Sequence, residues 1–173
     1  MWKNKKLWRK FHTKKNPRDS NVDNWSKGTS VLNERIIGKK QLSFVIEDED
    51  GEIFGYYLNT QVIEEYDDWQ RTDTKTFQFN LQSKNNRLDK PMKFEITYLI
   101  IGGICLFEKS DEYDLIWLGD INLRKENKKN ISYCRQNEYC FNYHGIKNAL
   151  CGKTWEDGNE EFTPKRIIVI QMK

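Results

Sequence analysis

From Leu42 to Glu47 the chain places Leu42, Phe44 and Ile46 on one side and Ser43, Val45 and Glu47 on the other, the period-two pattern of a strand. The next run, "EIFGYYL", is rich in aromatic and β-branched residues that suit a pleated surface. The same character returns in "FQFNLQ" (77 to 82), "MKFEITYLI" (92 to 100), "ICLFE" (104 to 108), "DLIWL" (114 to 118), "YCFNY" (139 to 143) and "RIIVIQM" (166 to 172). Turn-rich stretches such as "SKNNRLDKP" and "KSDEYD" separate them. A short helix is predicted over about residues 31 to 37, with Ser30 as N-cap, Val31, Leu32 and Ile36 on one face and Gly38 as the left-handed stop. Short strands at this density, without alternating long helices, predict a mainly β fold of the α+β class. Two antiparallel sheets pack as a β-sandwich flanked by short helices, and parallel nucleotide-binding folds are disfavoured.

The stretch "EDEDGEIFGYYL" (Glu47 to Leu58) separates two readings, a calcium loop and a hairpin. With Gly51 at the sixth position of a calcium loop, Asp48 and Asp50 fall at ligand positions three and five. Ile46 and Tyr57 then occupy the first and twelfth, where the strongest ligands belong. The hairpin needs a two-residue Asp-Gly centre between alternating strands, which Asp50 and Gly51 supply, and it leaves the neighbouring acids at an exposed tip. Phe54 and Tyr56 then share one face, with Gly55 between them where a backbone comes close.

Composition fits one folded domain: 173 residues, 37% hydrophobic and 13% aromatic, with 32% charged residues spread through the chain. The formal charge of +3 conceals an asymmetry. Seven of the 29 Lys and Arg lie in Met1 to Lys15 with no acid, leaving 22 bases against 26 acids and a net −4 in the remainder. A face for nucleic acid would have to come from that segment alone, so nucleic acid is an unlikely partner. As a helix, the segment would group Leu7, Trp8 and Phe11 among Lys3, Lys6, Arg9, Lys10 and Lys14, which suits an anionic membrane surface or an acidic partner. The favoured reading is a plain extension, because short isolated helices are marginal. The longest apolar run, Tyr98 to Phe107, contains two glycines and falls short of the roughly 18 residues of a span. The N-terminus has no uninterrupted apolar block or cleavage site, so the expectation is a cytoplasmic protein with reduced thiols at Cys105, Cys134, Cys140 and Cys151. In that compartment the sequons at Asn24 and Asn130 carry no weight.

Candidate chemistry is sparse. The sequence has no G-x-S-x-G elbow, phosphate loop or H-E-x-x-H helix, and its two histidines are His12 and His144. Cys134, Cys140, His144 and Cys151 are spaced C-x5-C-x3-H-x6-C, a donor set zinc accepts but without paired C-x2-C knuckles. Ordinary packed cysteines are the favoured reading, with a redox thiol as the other alternative. The pairs Glu64-Glu65, Asp67-Asp68 and Glu160-Glu161, and Asp111 with Glu112 and Asp114, read as solvated surface. Trp69, Trp117 and Trp155 suit core or contact positions equally.

The order of motifs resembles the TLDc-domain family. Gly51, Phe54 and Gly55 reproduce its "G-x-x-F-G" hairpin signature, and Trp69 precedes the aromatic strand "TFQFNL" (Thr76 to Leu81). "LIWLGDINL" (Leu115 to Leu123) stands at its glycine-containing strand, and "EEFTPKRIIVIQMK" resembles its terminal strand, so the likeness covers about residues 31 to 172. Two departures stand out: the family's glycine-rich run is reduced to Gly102-Gly103 and Gly119, and residues 124 to 143 are rich in Lys and Asn. The resemblance implies a β-sandwich linked to oxidative-stress resistance, vesicle traffic and the vacuolar proton pump, and it brings no catalytic residues and no cofactor. The resulting expectation is a basic extension and linker over residues 1 to 27 and a TLDc-like domain over 28 to 173. Its function would be non-enzymatic protein interaction, on an endomembrane assembly in the family's manner. Two alternatives stay open: a thiol- or metal-dependent enzyme using Cys134, Cys140 and His144, and a membrane or nucleic-acid binder working through the basic tail.

Overall fold

The computed structural model describes residues 18–19, 32–84, 88–99, 102–125, 131–151 and 160–172. The basic segment, Ser30, Val31, Trp155 and the sequon residues Asn24 and Asn130 lie outside the described residues. The described strands form two six-stranded sheets, and all their strand pairings are antiparallel. In the first sheet β1 (Arg18–Asp19), β12 (Pro164–Gln171), β2 (Leu42–Asp48), β3 (Ile53–Leu58), β5 (Phe77–Gln82) and β6 (Met92–Glu95) are neighbours in that order. The second runs β11 (Glu160–Phe162), β10 (Ser132–Cys134), β9 (Ile121–Arg124), β8 (Asp114–Leu118), β7 (Ile104–Leu106) and β4 (Trp69–Gln70). Between β11 and β12 a single residue, Thr163, takes the chain from the second sheet to the first.

The β-sandwich follows from the alternation. Phe44, Ile46, Phe54, Tyr56 and Phe94 from one sheet and Ile104, Leu106, Ile116, Leu118, Leu123 and Phe162 from the other form a single buried cluster. Phe54 meets Phe162 edge to face at 5.0 Å between ring centroids, and Tyr56 meets Phe141 at 6.3 Å. Gly55 sits between two inward aromatics because a Cβ there would fall 1.9 Å from the Phe44 carbonyl oxygen. The helix α1 (Leu32–Ile36) buries Leu32 and Ile36 and ends at Gly38, whose φ is +77°. Among the described residues no helix is long and apolar enough to cross a membrane.

Four sequence expectations change. The β2–β3 turn has three residues, Glu49 to Gly51, because only Gly51 has positive φ (+85°), while a two-residue type I′ turn needs it at both centres. The acids of that tip are not all exposed: Asp48 and Glu52 are buried, and Asp48 Oδ1 accepts the Glu52 N–H at 2.9 Å. The expected strand over residues 139 to 143 is a turn with one bridge, Phe141 to Ile96, since Asn137 captures the next amides and stops the chain extending. Within the expected linker, Arg18 and Asp19 pair with Val169 and Ile168. The pieces β4, β9, β10 and β11 carry two to four residues each, too few for a legible alternation.

Candidate functional site

The β8–β9 hairpin closes through Gly119 and Asp120. Gly119 has φ +58°, and a Cβ there would stand 2.6 Å from the Phe141 ring. The glycine therefore admits both the turn and the aromatic above it. It delivers Asp120 to the interior, where it is 5% exposed. The side chain meets the segment after β10: Oδ2 accepts the Asn137 N–H at 2.9 Å and lies 2.9 Å from the Tyr143 hydroxyl. The Cys140 thiol also bonds to Asp120. From the opposite sheet, Gln78 on β5 brings Oε1 to 2.5 Å from the same hydroxyl and donates through Nε2 to the Leu118 carbonyl at 3.3 Å. A polar chain thus crosses the sandwich from β5 to the β8–β9 turn.

Burial dominates the electrostatics of this centre. It pushes the Asp120 carboxyl up to about 7, against the Asn137 N–H and the Cys140 thiol, donors that favour the ionised form. The same burial raises the Tyr143 phenol and pushes the Cys140 thiol up to about 12. A thiol so placed is protonated at neutral pH and is a poor nucleophile.

Asp120 fixes an exposed feature through Asn137. The Asn137 carbonyl accepts from the amides of Cys140 (2.8 Å) and Phe141 (3.2 Å), and its Oδ1 accepts the Tyr139 N–H at 3.0 Å. On the far side Thr97 donates its hydroxyl to the Tyr139 carbonyl (2.6 Å) and its N–H to the Cys140 carbonyl (2.8 Å). Between these anchors the Tyr139 side chain is 85% exposed, and Tyr98 and Leu99, next to Thr97, are also exposed. The backbone is held on both sides while the ring faces solvent.

The cysteine and histidine set does not converge. Cys134 contacts Cys151, whose thiol approaches Glu160 Oε2 at 3.4 Å. Cys140 is on Asp120, and His144 points outward, 3.8 Å from Glu95 Oε2. Among the described residues no group of three His, Cys, Asp or Glu is arranged to hold a metal ion. All four thiols are buried and outside any disulfide, and burial pushes Cys105 up to about 12 and Cys134 well above the usual thiol range. Of the acid pairs read as surface, Glu64-Glu65 and Asp67-Asp68 are exposed, but Glu160 is buried against Cys151. Trp69 and Trp117 are half-buried, 5.8 Å apart. Sequence reasoning missed Asp120, Gln78 and Tyr143; the one local signal was an acid set between two apolar runs in "LIWLGDINL".

No family model matches this sequence, and no curated protein matches it.

Proposed function

We propose that this chain is a non-catalytic protein-interaction domain of TLDc type, and that the Tyr139 turn with Tyr98 and Leu99 is its contact surface. The observation that carries the reading is a tyrosine 85% exposed on a backbone pinned from both sides. Exposed aromatics on rigid backbone lose little entropy on binding and supply much of the energy of protein interfaces. The raised thiols add support, since they leave Cys134 and Cys140 without thiolate character at neutral pH. The partner is a protein offering a pocket for an aromatic ring, and the resemblance makes vacuolar proton pump subunits the first to try.

A photo-crosslinking amino acid at position 98, in otherwise wild-type protein, tests this. The expected result is a discrete crosslinked partner that disappears on Tyr139→Ala while the fold is retained. An unchanged crosslinking pattern in that variant, or no adduct with pump subunits or any other protein, overturns the proposal.

A further inference from the structure

The Tyr143 hydroxyl carries one proton and faces two oxygens, Gln78 Oε1 at 2.5 Å and Asp120 Oδ2 at 2.9 Å. The Gln78 amide has a defined orientation: reversing it would set its oxygen against the Leu118 carbonyl, which now accepts from Nε2. The phenol proton therefore belongs on the shorter contact, to Gln78. Tyr143 then offers Asp120 only a lone pair, and that contact is a hydrogen bond when Asp120 brings the proton. The same Oδ2 still has a lone pair for the Asn137 N–H.

We propose that Asp120 is a neutral carboxylic acid donating to Tyr143, and that its ionisation loosens the Asn137–Phe141 turn, so that rising pH weakens the Tyr139 surface. On ionisation the phenol proton must turn to the carboxylate, and Gln78 Oε1 is left against a second oxygen in the core. A buried acceptor that loses its donor is costly, and the relief open to it is movement of Tyr143 with the 137–143 segment. The groups facing Asp120 are Tyr143 and Cys140 on that segment, Arg135 and Cys134 beside it, and Tyr56 on β3. Arg135 is the cation among them and is exposed, so it screens the carboxylate weakly. The rise of the carboxyl to about 7 by burial has the same direction. The effect on docking rests on the interaction reading above; the proton on Asp120 and its hold on the turn do not.

The test uses the full chain labelled with carboxyl-¹³C aspartate, with the Asp120 signal assigned by its loss in Asp120→Asn. Asp120 is expected to titrate near neutrality, and the amides of Cys140 and Phe141 to exchange about tenfold faster above that midpoint, beyond the intrinsic rise. A midpoint in the ordinary aspartate range, or exchange that ignores the midpoint, overturns the proposal. Tyr143→Phe removes the hydroxyl through which Asp120 acts on the turn and should abolish the step in Cys140 and Phe141 exchange at the Asp120 midpoint; a step that persists unchanged sinks the idea. If Asp120 titrates as expected while crosslinking at position 98 is absent at every pH, the interaction reading has failed and the hold of Asp120 on the turn stands.

Discussion

At the β2–β3 end, Asp48 accepts from Glu52, four residues on, at 2.9 Å, whereas at the β8–β9 end Asp120 reaches Asn137 and Tyr143, 17 and 23 residues away. Both ends pair an aspartate with a positive-φ glycine, Gly51 in one and Gly119 in the other. Both acids are buried, and burial raises both, Asp120 to about 7. What differs is where the partners come from. The first acid closes its own loop; the second ties two strands to a distant segment and, through it, to an exposed tyrosine. An acid with short-range partners shapes a turn, and one with long-range partners couples parts of the molecule.

The widest gap between the two ends should appear in the pH dependence of stability. A carboxyl raised from 3.8 to about 7 on folding contributes stability that is complete below 3.8. It is lost as pH rises through about 7, because the unfolded chain ionises first. The loss is on the order of 4 kcal/mol. Urea unfolding across pH should show this fall in the wild type, while Asp120→Asn flattens most of it and Asp48→Asn leaves most of it in place.

The glycines should separate next. Gly119→Ala must bear a positive φ and push the Phe141 ring away, at about 3 kcal/mol in unfolding experiments. Gly51→Ala meets nothing nearer than Lys84 at 3.7 Å and should cost about 1 kcal/mol. Equal losses at both positions would show that turn geometry alone matters and that depth does not. The smallest stability effect belongs to the surface: Tyr139→Ala should stay within about 0.5 kcal/mol of wild type, so that any loss of crosslinking reports contact and not unfolding.

Much of the fold was legible because β2, β3, β5, β8 and β12 are long enough to alternate or to read as dense β-branched runs. The close backbone approach at Gly55 was legible too, since a glycine between Phe54 and Tyr56 is conspicuous within a short window. The site was far less legible. Cys140 and His144 lie four residues apart and suggested a ligand pair, yet a turn with His144 at φ +57° sends one inward to Asp120 and the other outward to Glu95. Asp120 stands within "LIWLGDINL" and Gln78 within "FQFNLQ", and neither window marks a buried polar partner. The burial of Gln78 depends on the opposite sheet supplying a carbonyl and a phenol.

What the sequence determined by itself is therefore local: the period of the longer strands, the glycine turns and the inward face of those strands, all set by side chains within a few residues. Only the tertiary structure decided which polar groups became buried partners. Removal from water makes Asp120 hold its proton, and that depends on which strands close over it. The same packing left Tyr139 outside while fixing the backbone beneath it from Asn137 and Thr97, and the two residues come from opposite sides of the turn, 40 positions apart in the chain.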